Sequence, residues 1–303
     1  MLPNRVDVIE VGPRDGLQNE SVQVPTETKI ELVERLSAAG LSEVEVTSFV
    51  SPRAVPQLAD ATEVFTGVTQ HEGVRYPVLT PNERGYDAAR AAGATSIAVF
   101  TAASESFAQR NVNASIAETI ARFTPLVARA AADGVHVRGY VSTAWGCPFE
   151  GPIEPSAVHR VVEQLADLGI TDISIGDTIG VAVPAEIEPV VAPLLEFDAD
   201  LRIALHLHDT RGTALANAWA GLQLGVSAFD TSVGGLGGCP FAPGATGNLA
   251  TEDLVWMLQR SGIETGIDLD ALIETARWIT DAIGRPLSGH VAGARVWPWP
   301  AGE

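Results

Sequence analysis

The sharpest chemical signal in the sequence is the triplet His206-Leu207-His208. It closes an apolar run, and residues i and i+2 of a strand project to one face. Two imidazoles side by side are a ready pair of metal ligands, or else two histidines that hydrogen-bond at a strand end. Asp15 closes another such run, and a mixed His/Asp set with open positions suits Mg²⁺ or Mn²⁺. The two cysteines, Cys147 and Cys239, are too few and too separated for a thiolate zinc site. A second signal is Gly234-Gly235-Leu236-Gly237-Gly238-Cys239-Pro240. Its glycines permit positive φ and close approach to a ligand, although a plain flexible turn has the same composition. A thiol on a ligand-facing loop is suited to proton transfer, which makes Cys239 of interest. Cys147, within Trp145-Gly146-Cys147-Pro148, reads as a small structural hydrophobe.

These residues need a scaffold that brings distant segments to one place. Short apolar, β-branched runs recur at 6–11, 43–47, 76–79, 96–100, 136–142, 172–175, 202–208 and 228–233, each followed by helical sequence. Examples of the latter are 26–39, 115–133, 156–168, 184–197 and 212–224. Strand–helix alternation argues for a parallel sheet covered by helices, and eight repeats argue for a closed (β/α)₈ TIM barrel. A Rossmann-like sheet would need Gly-x-Gly-x-x-Gly after the first strand, whereas that strand ends in Gly12-Pro13-Arg14-Asp15-Gly16. The chain is expected to form one domain, with a barrel to about residue 262 and additional C-terminal helices from about 263. The stretch 251–280 reads as helix, and 296–300 as an irregular end. Catalysis in such a barrel sits at the C-terminal ends of the strands. Polar residues follow most of the runs there, among them Glu10, Arg14, Gln18, Glu45, Ser48, Tyr140, Asp177, Thr178, His206, His208 and Asp230. In that ring the first and seventh strands lie near each other, which brings Asp15 toward the histidines.

Composition narrows the partners. The 303 residues, 31.8 kDa, carry 46% hydrophobic and 19% charged residues, a globular balance that excludes disorder as the main state. A net charge of -19 speaks against general binding to nucleic acid or anionic membrane. Lys29 is the only lysine, so a bound anion is expected to meet arginine, backbone N–H groups or a metal. No apolar run reaches the roughly 18 residues of a spanning helix. Few cysteines, and an N-terminus that runs straight into the first strand, lead us to expect a cytoplasmic protein without a leader.

The residues Val11-Gly12-Pro13-Arg14-Asp15-Gly16-Leu17-Gln18-Asn19-Glu20 resemble the first-strand motif of the 3-hydroxy-3-methylglutaryl-CoA lyase family. Thr47-Ser48-Phe49-Val50-Ser51-Pro52, Gly176-Asp177-Thr178-Ile179-Gly180, His206-Leu207-His208-Asp209-Thr210 and the 234–248 loop with Glu252 and Asp253 are similar to it as well, in order over almost the whole chain. The resemblance implies a metal-dependent barrel lyase acting on an acyl-CoA as a homodimer. It implies that Asp15, His206, His208 and Asn248 hold Mg²⁺ or Mn²⁺, that Arg14 is catalytic and that Cys239 transfers a proton. Glu45 matches the family's second-strand glutamate and is expected among the catalytic residues. Gln18, Ser48, Tyr140, Asp177, Thr178 and Glu252 are expected against the substrate. Pro243 and Arg53 depart from the pattern, where basic residue and lysine are usual. The implied reaction is retro-Claisen cleavage of 3-hydroxy-3-methylglutaryl-CoA to acetyl-CoA and acetoacetate. In it His206 takes the hydroxyl proton, Arg14 stabilises the enolate and Cys239 protonates it. The alternatives are a lyase for a related 3-hydroxyacyl-CoA (citramalyl-CoA or a longer branched 3-hydroxyglutaryl-CoA), a condensing synthase, or a non-catalytic barrel. Phe107, Tyr140 or Trp145 would line the pocket that discriminates the acyl group. The CoA phosphates are expected to meet the metal, backbone N–H groups or the arginines of the rim, Arg14 and others such as Arg53.

Overall fold

The computed structural model describes residues 2–238, 247–286 and 288–294. Its main sheet is parallel and curls around on itself. The strands are Asp7–Glu10, a second strand in two pieces, Glu43–Val44 and Thr47–Ser48, then Val78–Leu79, Ser96–Ala102, His136–Ser142, Asp172–Asp177, Arg202–Leu207 and Ala228–Thr231. The two pieces of the second strand form the two ends of the hydrogen-bonded order, which closes the ring. Between them the backbone bonds alternately to both sides: Glu45 N donates to Glu10 O at 2.8 Å and Val46 N to Pro77 O at 3.0 Å. The eight expected runs are thus the eight barrel strands, and the expected TIM barrel is the observed fold.

Alternation along each strand separates two environments. The outward residues, such as Val8, Val44, Val46, Ile173, Ile175, Leu205, Leu207 and Phe229, join one large apolar cluster with the surrounding helices. On the fifth to eighth strands the inward residues are small or polar: Arg138 and Tyr140, Asp172 and Ser174, Ala204 and His206, Ala228 and Asp230. Branched aliphatics are the usual filling of such barrels. Here Ala204 and Ala228 leave room near Ile9 for charged side chains instead.

The helices expected at 26–39, 115–133, 156–168 and 212–224 are present within one or two residues, as Thr26–Ala38, Ile116–Ala132, Pro155–Asp167 and Ala214–Leu224. The one expected at 184–197 begins as a 3₁₀ turn, Pro184–Glu186, and continues as Ile187–Phe197. Residues 251–280 hold two helices, Thr251–Arg260 and Leu269–Ile283, separated where Gly262 and Gly266 take positive φ. Helices Ala61–Gly67, Glu83–Ala91 and Glu105–Val112 follow strands two to four. They are short, and Pro, Gly and polar residues around them blur their periodicity. A small antiparallel hairpin, Gly146–Cys147 with Gly151–Pro152, lies beside the fifth strand. The 296–300 end lies outside the described residues.

Candidate active site

The first strand runs into a π-helical turn, Gly12–Gly16, in which the N–H groups of Arg14, Asp15 and Gly16 all approach Val11 O. Such turns recur at functional sites because the widened backbone re-aims its side chains. Here it turns Arg14 and Asp15 into the barrel mouth. Arg14 is buried, with Nε and Nη2 on Glu45 Oε2 at 2.8 and 2.7 Å and Nη1 on Asp15 Oδ1 at 2.8 Å. The Tyr140 hydroxyl donates to the same Glu45 oxygen at 3.1 Å, and its ring lies 5.3 Å from the guanidinium carbon. Burial works against the charge on Arg14, but Glu45 and Asp15 outweigh it and raise its pKa further. A fixed cation therefore stands at the mouth, aimed by two carboxylates.

Asp15, His206 and His208 each offer a ligand atom, and these atoms lie within 4.8 Å of one another. The two Nε2 atoms are 3.2 Å apart, and Asp15 Oδ2 is 4.0 Å from His206 Nε2. Asn248 joins from beyond the glycine-rich segment, its Nδ2 on Asp15 Oδ2 at 2.8 Å and on Leu236 O at 3.0 Å, while its Oδ1 is buried with no hydrogen-bond partner. An acceptor oxygen left unsatisfied beside a carboxylate and two imidazoles is what a divalent cation would complete. The donor set fits a hard or borderline ion. Burial, followed by His206, pushes the His208 pKa down to about 4, which leaves that imidazole neutral and able to coordinate. Burial also lowers His206, but the hydrogen bond to Asp230 and the charges of Asp15 and Asp230 more than offset it. For Asp15 burial is outweighed by Arg14 and the histidines, and its carboxylate stays below the usual range.

These groups form one end of a cavity of about 690 Å³. Arg14, Asp15, Gln18, Tyr140, Thr178, His206 and His208 line it, and beyond them the wall turns apolar at Leu79, Phe100, Phe107 and Phe123. The polar end can bind a cation and hold a chelating hydroxyl next to a fixed guanidinium, and the rest can enclose an acyl chain.

A family model described as HMGL-like matches residues 5–279. The chain belongs to the HMGL-like family. The mitochondrial hydroxymethylglutaryl-CoA lyase of Bos taurus is 52% identical over 292 residues, covering 96% of this chain and 90% of that protein. The crystal structure of hydroxymethylglutaryl-CoA lyase from Pseudomonas aeruginosa superimposes with a TM-score of 0.94 at 46% identity, covering 96% of this chain and 97% of that one. An HMG-CoA lyase from Acinetobacter baumannii in complex with coenzyme A and 3-methylmalate matches with a TM-score of 0.93 at 42% identity, covering 98% of each chain.

Within this HMGL-like barrel several residues stand elsewhere than the sequence suggests. Ser48 and Asp177 fall on the outward side of their strands. The Ser48 hydroxyl donates to Leu79 O at 3.4 Å, and Asp177 accepts from Val181 and Ala182 N–H, each at 3.0 Å. Thr178, one residue on, takes the inward place. Glu252 is buried under the glycine-rich segment, accepting from Gly234 N at 3.0 Å. Neither it, Ser48 nor Asp177 is part of the cavity wall. Trp145 is not either: its Nε1 donates to Glu186 O at 2.8 Å. Arg53 is exposed and off the wall, while Arg122, from the Ile116–Ala132 helix, is on it. Lys29 is buried against Asp60 and is out of reach of any ligand. Cys147 is buried, accepting from Ser104 Oγ at 3.0 Å, as its structural reading requires. Cys239 and Pro243 lie outside the described residues.

Asp230 is expected at the polar rim from the sequence but with no role assigned, and Arg138 is not singled out there at all. Asp230 is paired in register with His206 on the neighbouring strand, and its Oδ2 lies 3.2 Å from His206 Nδ1. Arg138 crosses from the fifth strand to reach its other oxygen at 2.7 Å. An inward charge on a strand otherwise built of small residues was the available signal. One further feature marks this rim: Thr143, just past the fifth strand, has φ +60, a strained conformation for a β-branched residue, with its N–H donated to Thr178 Oγ1 at 2.8 Å.

Proposed function

We propose that this HMGL-like protein is a divalent-metal-dependent carbon–carbon lyase that cleaves 3-hydroxy-3-methylglutaryl-CoA to acetyl-CoA and acetoacetate. The observation that carries this reading is the convergence of Asp15, His206, His208 and Asn248 beside the buried Arg14 at the polar end of one cavity. Those four residues would hold Mg²⁺ or Mn²⁺. A bound divalent cation supplies Lewis acidity that lowers the pKa of a substrate hydroxyl and orients the bond to be cleaved.

The protein's own groups divide the remaining work. His206 offers its Nε2 lone pair either to the cation or to the hydroxyl proton. As the bond between the second and third acyl carbons breaks, its electron pair moves onto the thioester as an enolate. Arg14, held by Glu45 and Asp15, meets that charge without reorganising, which is the electrostatic advantage of a preset donor. Cys239 then returns a proton to the carbon. Gln18, Tyr140 and Thr178 contact the substrate directly. Glu45 acts behind the wall by holding Arg14 and Tyr140, while Ser48, Asp177 and Glu252 bond to backbone away from the cavity and serve the barrel rim structurally. Arg122 is our choice for a charged contact to the CoA moiety. We read the chain as a single barrel domain with a helical extension from about residue 263, and as a cytoplasmic homodimer. No helix among the described residues is long and apolar enough to cross a membrane.

The test is to incubate the purified protein, with Mg²⁺ or Mn²⁺ and after chelation, with a panel of 3-hydroxyacyl-CoA thioesters and to identify the products by mass. Metal-dependent release of acetoacetate and acetyl-CoA from the hydroxymethylglutaryl ester is expected. Faster cleavage of citramalyl-CoA or of a longer branched ester would move the assignment to that substrate, and no cleavage of any of them would overturn it.

A further inference from the structure

Asp230 lies at the centre of a buried network that the proposed chemistry leaves unused. It is 1% exposed and accepts from three directions: Arg138 Nη2 on Oδ1 at 2.7 Å, Ser174 Oγ on Oδ2 at 2.6 Å, and His206 Nδ1 facing Oδ2 at 3.2 Å. An ionised carboxylate can only accept, so His206 must carry its proton on Nδ1. The lone pair is thereby left on Nε2, which faces His208 Nε2 at 3.2 Å and Asp15 Oδ2 at 4.0 Å. Both roles proposed for His206, ligand and proton acceptor, need that unprotonated Nε2.

Arg138 makes the arrangement directional. Its guanidinium is fully buried and is held from the far side by Asp172, 3.3 Å from Nε, with the Tyr140 ring 5.2 Å from its central carbon. It cannot lose its proton and cannot turn away, so one oxygen of residue 230 is permanently claimed. We propose that Asp230, locked by Arg138 and Ser174, is a positioning residue that fixes His206 in the Nδ1–H tautomer and so decides whether the mouth of the barrel can accept a cation. This inference rests on reading Asp15, His206, His208 and Asn248 as a cation site.

The proposal separates from a merely structural role through Asp230→Asn. An amide has one accepting oxygen and one donating nitrogen. Arg138 takes the oxygen, so the NH₂ faces Ser174 and His206. The hydroxyl can rotate to accept, but the imidazole must move its proton to Nε2. An Asp-to-Asn change beside the catalytic histidine of serine proteases imposes the wrong tautomer in the same way. The readout is the ¹⁵N–¹H correlation of metal-free, ¹⁵N-histidine-labelled protein at a pH where His206 is neutral, with His206→Gln to assign its signals among the six histidines. Mn²⁺ affinity is read separately from the free-ion electron paramagnetic resonance signal. Wild type is expected as Nδ1–H, and Asp230→Asn as Nε2–H with Mn²⁺ bound 10- to 100-fold more weakly, about the usual cost of losing an outer-shell partner.

The double variant Arg138→Met/Asp230→Asn removes the group that claims the oxygen. The amide can then turn that oxygen to His206, restoring the Nδ1–H form and most of the Mn²⁺ affinity. Having no charge left at the pair, this variant carries the test alone if Asp230→Asn does not fold. An unchanged tautomer in folded Asp230→Asn, or a folded double variant in the Nε2–H form, would overturn the proposal. Failure of the wild type to bind Mn²⁺ would instead overturn the cation-site reading, with the tautomer prediction still readable in the metal-free protein.

Discussion

Glu10 turns away from the cavity, into the space between the first strand and the Thr251–Arg260 helix. Its Oε1 accepts from Gly12 N at 2.7 Å and Val233 N at 3.0 Å, and its Oε2 from Thr251 Oγ1 at 2.6 Å. It thus ties the turn that carries Arg14 to the base of the glycine-rich segment. Burial outweighs these three bonds and raises its pKa from 4.5 to about 7. The carboxyl is fully buried, out of reach of screening by solvent. A raised folded-state pKa means that the unfolded chain ionises first. The associated stability is fully present below the unfolded value of 4.5 and is lost as pH rises through about 7. The difference of about 2.5 units corresponds to ~3 kcal/mol. Glutamine mimics the protonated acid. Its oxygen can accept both backbone N–H groups, and its NH₂ can donate to Thr251, whose hydroxyl accepts as readily as it donates. Glu10→Gln is therefore expected to match the wild type at about pH 4.5 and to exceed it by ~3 kcal/mol at about pH 8.5, as measured by urea unfolding at the two pH values. Glu252, also raised by burial, to about 8, contributes the same sign of slope to both proteins and largely cancels. Equal pH slopes in the two proteins would refute the assignment of this titration to Glu10.

Arg14→Lys keeps the charge but has one nitrogen for the positions that three now fill on Glu45 and Asp15. Turnover should fall ~10²-fold or more, the usual loss for a preset charge-stabilising donor. Near-normal turnover would sink its role. Lys29→Met should lower stability by about 1–3 kcal/mol in thermal or urea unfolding, because it strips the partner from Gln57 O and from Asp60. It should leave turnover at low temperature intact, and a selective rise in KM would show that the only lysine does reach the substrate.

Much of the site was legible because local rules decide it. The i, i+2 spacing of His206 and His208 on one strand puts both on one face whatever surrounds them. Arg14-Asp15 at the end of the first apolar run lands at the catalytic rim of any barrel built from these strands. The same alternation, read one residue more strictly, would have separated Thr178 from Asp177 and set Ser48 on the outward side. The exact ends of the strands, on which that parity depends, come from pairing with neighbours rather than from the sequence of one strand.

The sequence by itself determined the barrel, its eight strands, the placing of His206 and His208 on one face, and the family. Periodicity and contiguous motifs carry that information within each segment. The tertiary structure alone decided what stands behind those histidines. Register between two strands set Asp230 beside His206, and the ring's closure let Arg138 reach across it from 92 residues away. It also sent Trp145 to Glu186 instead of the cavity, buried Lys29 and brought Arg122 to the wall. These are consequences of which strands and helices meet, and burial forces each charge or donor to find its partner among whatever the fold has brought near.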